Sequence, residues 1–292
     1  MTGPTPPIES KRVKALRLGL AKQIPKFPND RASLQSLEGK SLGALLIDYA
    51  NWAIRYVAPR PRKVIIEPAA STDSRWKVLQ RDIDPFLEKV KRGEDLTPHL
   101  SLEMHTLGYT PAASAHGPNV DRWAGKDMLL NVMGYHHFHP SMTIMPQGFA
   151  SRTNEIIFAH VTREEFTVVG IIDHSVFESE PGQPLNPERE RLWQIYKERL
   201  TRNVPPGSVV VASPIATSGH SIYFTRLAMD YARLIADIDQ RVEDPAYIAA
   251  LTAGTAFVSP AKPKWKWHLH YLDLGLIDKT SGFFLLFRKG PN

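Results

Sequence analysis

The chain of 292 residues has no cysteine. That absence excludes disulfides and thiolate metal sites, and leaves His, Asp and Glu as the only likely ligand types. No apolar run approaches the roughly 18 residues a membrane-spanning helix needs, so no membrane partner is expected. The N-terminal stretch is basic, but Ala15–Ala21 interrupts its leucines with Arg17, so it lacks a signal-peptide core and a cytoplasmic location is the simplest expectation. Walker spacing, HExxH and any internal repeat are missing too. The HxHxDH pattern of metallo-β-lactamases is excluded because Pro140-Ser141 follow His139, and no eight-fold strand–helix alternation supports a TIM barrel.

What is present belongs to a folded protein: 42% hydrophobic and 23% charged residues, enough chain for one large or two modest domains. The net charge of +6 is uneven. Residues 1–100 hold 18 Lys+Arg against 11 Asp+Glu, and the remaining 192 hold 18 against 19. Residues 1–40, with five prolines between scattered charges, are expected to be a largely irregular basic arm with a short helix near Arg12–Lys22. Such an arm suits either contact with a nucleic-acid backbone or simple solvation.

Apolar spacing predicts helices over about Ser41–Val57 and Ser74–Arg92, the second containing Pro85 and stopping at Gly93. Val64–Ile66 suggests a short strand or extended segment, and residues 94–125 a long loop. Tyr135–His139, Glu155–Val161 and Phe166–Ile172 are expected to pair as a small antiparallel sheet. Polar, proline-rich residues 178–187 make the best internal boundary. Beyond it come helices over Pro187–Asn203 and Ser221–Val242, a strand at Ser208–Ser213, a short helix capped by Asp244, and a closing hairpin of Trp265–Leu274 with Phe283–Arg288. The fold class expected is α+β, in three parts: the arm 1–40, residues 41–180 with helices and the sheet, and an α/β extension over 181–292.

Chemistry concentrates around Lys126-Asp-Met-Leu-Leu-Asn-Val-Met-Gly-Tyr-His-His-Phe-His-Pro140. On a strand, alternation places Tyr135, His137 and His139 on one face, with His136 and Phe138 on the other. Arg152 precedes the next strand, and Asp173-His174 end the third. His137, His139 and His174 supply groups that titrate near neutrality, and Arg152 supplies a fork for phosphate oxygens. Together they form the set that metal-free RNA cleavage requires, with Asp173 positioning His174 and His136 completing the cluster. The same residues, His137, His139, His174 and Asp173, are also a ligand set for one divalent transition metal in a hydrolase. A third reading is a non-catalytic nucleic-acid or partner-binding module whose histidines satisfy core hydrogen bonds. Arg55, Arg60, Arg62 and Lys63 gather at a helix end, where they either meet phosphate or form a solvated turn. In Lys264–His270, Lys264, Lys266, His268 and His270 share one face, and Trp265, Trp267 and Leu269 the other. That is a packed strand or an RNA-facing surface.

The run Lys126-Asp-Met-Leu-Leu-Asn-x-x-Gly-x-His136-His-Phe-His139, followed by Arg152-Thr-x-Glu-Ile-Ile-Phe-Ala159 and Ile172-Asp-His174, resembles an uncharacterised bacterial and phage-associated family. Arg60-Pro-Arg-Lys-Val64 and Gly93-Glu-Asp-Leu-Thr-Pro-His-Leu-Ser101 belong to the same pattern, which covers roughly residues 40–180. Pro140-Ser141 departs from it after the last histidine. Helices followed by a small sheet bearing His and Arg are similar to RelE-type toxin ribonucleases. This resemblance implies a metal-independent endoribonuclease without a cofactor, RNA as partner, and an inhibitor protein as a further partner.

Overall fold

The computed structural model describes residues 9–111, 127–178, 184–210, 214–255, 257–258, 260 and 262–292. In chain order its elements are α1 (Lys11–Gln23), α2 (Arg31–Glu38), α3 (Leu42–Ala53), β1 (Lys63–Ile66), α4 (Pro68–Ser71) and α5 (Ser74–Arg92). Then follow α6 (Met128–Met133), β2 (Tyr135–Phe138), β3 (Glu155–Val161), β4 (Glu165–Asp173) and α7 (Pro187–Thr201). The last are α8 (Ile222–Asp239), α9 (Pro245–Thr252), β5 (Trp265–His270), β6 (Asp273–Asp278) and β7 (Phe284–Arg288). The fold is α+β, and among the described residues no helix is long and apolar enough to cross a membrane. Lys126, the later part of the long loop, residues 179–183 of the 178–187 boundary and the end of the Ser208–Ser213 segment lie outside the described residues, and Ser208–Val210 forms no strand.

The chain divides into two compact units, neither continuous in sequence. One takes its described residues from Met1–Ala53, Leu107–Gly125 and Tyr223–Gly290, the other from Ile54–Thr106, Lys126–Ile222 and Pro291–Asn292. The expected three-part division by sequence is therefore not how the chain packs. The basic arm is not irregular over its described part. Ser10 caps α1 and Asp30 caps α2 through side-chain oxygens, and Leu16, Leu20 and Leu37 are buried. Its charges are used locally as well: Arg12 pairs with Asp239, and Arg17 with Glu9.

In this first unit β5, β6 and β7 form an antiparallel meander. The expected single strand Trp265–Leu274 is broken in two. His270 pairs with Asp273, which leaves Tyr271 and Leu272 as a two-residue turn with φ of 45° and 67°. Positive φ at both positions is the hairpin-matching conformation, normally supplied by Asn-Gly. Here neither residue is favoured locally, and tertiary contacts hold the turn: Leu272 is buried and its carbonyl accepts the Tyr231 hydroxyl at 2.6 Å.

The second unit is built on a mixed sheet of order β1-β4-β3-β2. β2, β3 and β4 are antiparallel as expected, but β1 joins β4 in parallel, Lys63 opposite Glu165 and Ile66 opposite Val168. A parallel pair needs a crossover, and the residues between β1 and β4 include α5. One sheet face meets α5, with Ile83, Phe86, Leu87 and Val90 against Phe138, Ile157 and Phe166. The other face meets α7, with Leu192, Ile195 and Tyr196 against Tyr135, Phe158 and Val169. Burial on both faces explains why β3 and β4 are near-continuous apolar runs rather than alternating ones. Gly93 ends α5 at φ 73°, and a Cβ there would sit 2.4 Å from the Pro61 nitrogen. Only glycine suits that left-handed stop under a crossing chain.

Candidate functional site

The helix α6 stops at Gly134, φ 72°, and the chain enters β2 directly. Alternation then separates the histidines as the spacing predicts. His136 goes to the α5 side with Phe138, the two rings 6.2 Å apart and nearly parallel. It is 4% exposed, and Nε2 donates to the Ile54 carbonyl at 2.7 Å. Burial drives its pKa down to about 4, with that hydrogen bond opposing. His136 is thus a neutral structural ring, a correction to its inclusion among the catalytic residues.

His137 turns to the opposite face, between Phe158 (5.9 Å between ring centroids) and Phe177 (5.0 Å). Its Nδ1 faces the Asp127 carboxylate at 3.7 Å. Burial lowers its pKa, Asp127 works against that shift, and His174 adds to it. Asp127 is itself fixed as the cap of α6, accepting from the Leu130 amide at 2.9 Å. A carboxylate behind a histidine was expected from Asp173 on His174; it comes instead from Asp127 on His137.

His139 lies just beyond β2, and its ring stacks on His174 with centroids 5.1 Å apart and planes 23° apart. The ring is only 1% exposed. Its backbone is clamped by His99, which accepts from the His139 amide at 2.8 Å and donates Nδ1–H to the His139 carbonyl at 2.9 Å. Lys89 donates to the other His99 nitrogen at 3.4 Å, so His99 is the neutral Nδ1–H tautomer. Burial takes the His139 pKa down to about 3, helped by Arg152, His137 and His174. His139 Nδ1 is buried with no hydrogen-bond partner among the described residues. His139, expected as a base or acid, instead lies buried against His174, while His174 is half-buried and the His137 side chain 12% exposed.

His174 opens the short 3-10 turn His174–Phe177 at the end of β4. Its pKa is lowered by burial and then by Arg152, with Asp173 opposing. The Asp173 carboxylate is occupied in shaping this turn, accepting the Ser175 amide at 2.9 Å and the Ser175 hydroxyl at 2.5 Å. Those bonds are the leading cause of its own lowered pKa. The strand end is anchored from below. Asp73, 6% exposed at its side chain, binds Arg75 and Arg191, and both guanidinium groups donate to the Ile171 carbonyl. Glu188 accepts from the Asp173 amide at 3.0 Å. Arg152 is exposed, with one guanidinium nitrogen donating to the Leu100 carbonyl at 3.3 Å. Phe177, 39% exposed, completes the surface, 5.7 Å from His174.

The basic cluster at the end of α3 fares differently. Arg62 is 4% exposed and donates to the carbonyls of Thr162 (2.7 Å) and Ala58 (2.9 Å); burial, with Arg60 and Arg163 nearby, lowers its pKa to about 10. Arg55 is 8% exposed and acts with Asp127 and Glu103, the carboxylates that also influence His137. Arg60 is half-buried, and Lys63 is exposed beside Glu165 at 3.8 Å. Arg55 and Arg62 are therefore not a phosphate-facing surface: both are buried, and the Arg62 guanidinium is taken up by loop carbonyls. Among the described residues no group of three or more His, Asp or Glu side chains is disposed to hold a metal ion.

Asp127, His99 and Phe177 were not singled out individually by sequence. Asp127 carried a signal in its capping position three residues before Leu130, and both it and His99 lie inside the resemblance pattern. Phe177 carried none. No family model, curated protein or solved structure matches the chain.

Proposed function

We propose that His137, His174 and Arg152 cleave RNA phosphodiester bonds without a metal, with His139 positioning His174. The observation carrying this reading is the stacked His139–His174 pair, with Arg152 lowering the pKa of both rings and Phe177 packed against both His174 and His137. Roles follow from the charges around each imidazole. His174 is kept neutral by burial and Arg152, which suits a base taking the 2′-hydroxyl proton. Asp127 behind His137 opposes the lowering of its pKa by burial, which suits the ring assigned to deliver a proton to the departing 5′-oxygen. Arg152 forks onto the non-bridging oxygens as charge builds there. The approaching phosphate adds negative charge that raises the His137 pKa, so the acid is charged when needed. Phe177 offers a ring face on which a base at the cleaved position stacks.

The products of this chemistry are a 2′,3′-cyclic phosphate and a 5′-hydroxyl. The test incubates the purified chain with an RNA oligomer in EDTA and identifies the ends. His174→Ala and His137→Ala are each expected to slow cleavage by at least about 100-fold, and Arg152→Ala by a comparable factor. Absence of cleavage, cleavage that EDTA abolishes, or full rates in both histidine variants would sink the reading.

A further inference from the structure

The C-terminal meander carries features that the histidine site does not use. Its inward face is apolar: Trp265, Trp267, Leu269, Leu274, Leu276 and Leu285 are buried, and the Trp267 indole donates to Asp239 at 2.8 Å. Its outward face has a different composition. Along β5 it presents Lys266, His268 and the exposed His270, the two imidazoles 6.3 Å apart and 27° from parallel. Cross-strand register continues these rows into Ile277 and Phe284, and into Gly275 and Leu286.

Gly275 shapes this face. A Cβ there would lie 2.6 Å from the Phe284 ring and 2.3 Å from the Leu285 carbonyl oxygen. The glycine therefore lets the Phe284 ring lie down across β6, where it meets His268 with centroids 5.9 Å apart. Leu286 beside it is 38% exposed. A ring held flat over a backbone gap is half-buried yet still reachable from solvent.

The charge of the segment is predominantly positive. Residues 262–290 contain six Lys+Arg and two Asp. Both carboxylates are buried and bound to backbone amides: Asp278 accepts from Lys264 (2.7 Å) and Ser281 (3.0 Å), and Asp273 from Gly290 (2.6 Å). Asp273 lies opposite His270 in the register, with its carboxylate buried and held by the Gly290 amide. A basic edge beside an aromatic and apolar floor complements a polyanion whose bases are unpaired, and a duplex would keep its bases from that floor.

We propose that the outward face of the β5–β6–β7 sheet binds single-stranded nucleic acid, with Lys266, His268 and His270 along the phosphates and Phe284 and Leu286 under the bases. This is independent of the cleavage chemistry, and the test keeps the two apart by using an uncleavable ligand. The full chain is titrated into a fluorescent 2′-O-methyl oligouridylate, with anisotropy as the readout, over a range of salt. Lys266→Glu and His270→Glu, both surface changes, are expected to weaken binding about tenfold or more. Lys266→Ala should flatten the log–log salt slope by about 0.7. Phe284→Leu, which keeps apolar bulk, should weaken binding several-fold with the slope intact. The proposal is overturned by affinities within twofold of the native chain in both glutamate variants. It is equally overturned if oligoglutamate or duplex competes as well as the single strand and Phe284→Leu changes nothing, since the face would then be a general polyanion surface.

Discussion

Acid should unfold the second unit through two buried imidazoles, and the size of the effect follows from their environments. An unfolded histidine takes its proton near 6.5, whereas folded His136 does so near 4 and His139 near 3. Between those values the unfolded chain binds the extra proton, so stability is complete above about pH 6.5 and falls as pH drops towards the folded values. At about pH 5 the linkage relation gives a loss of about 2 kcal/mol for each ring. Two such losses are a large part of the roughly 5–15 kcal/mol that holds a domain together. In His136→Gln, the amide can still donate to the Ile54 carbonyl but cannot titrate. Hydrogen exchange of β2, β3 and β4 amides, compared at about pH 7.5 and pH 5 after correction for intrinsic rates, reads the local stability. The variant should lose about 2 kcal/mol of the native pH dependence. An unchanged dependence in His136→Gln would show that the ring is not held neutral by burial, and the reasoning about His139 would fall with it.

Two further perturbations test the scaffold beneath the histidine site. His99→Ala removes the donor to the His139 carbonyl and strands Lys89; urea denaturation should show a loss of about 2–3 kcal/mol, and any cleavage activity should fall through kcat more than KM. Asp73→Asn unties Arg75 and Arg191 from the end of β4, so it should cost about 2–3 kcal/mol and broaden the His174 ring signals in NMR spectra, while Asn at the exposed Asp84 should do neither.

The separation of His136 from His137 was legible in sequence because strand alternation is a local rule that tertiary packing had no reason to override. Most helices were legible for a similar reason. The stripe Trp76, Leu79, Ile83, Phe86 and Val90 fits only one period, and Asp244 and Gly93 mark helix ends by their own conformational preferences. The turn at Tyr271-Leu272 was not legible, since its positive φ values are imposed by the burial of Leu272 and the Tyr231 hydrogen bond. Nor was the pairing of β1, although the segment itself was expected, because its partner strand lies some hundred residues away in a parallel register.

Burial distinguished residues that look alike in sequence. Arg62 and Arg152 are both arginines beside strands and both donate to loop carbonyls, yet Arg62 is buried while Arg152 stays exposed. His139 and His174 both appeared as acid–base groups, but stacking puts one ring beneath the other. Local sequence by itself determined the α+β class, the positions of most elements and that the two β2 histidines face opposite ways, because periods and caps act over a few residues. Only the tertiary structure decided that Asp127 rather than Asp173 stands behind a histidine, that His99 clamps His139, and that the units interleave along the chain. Those outcomes depend on distances between segments far apart in sequence, and no local preference encodes them.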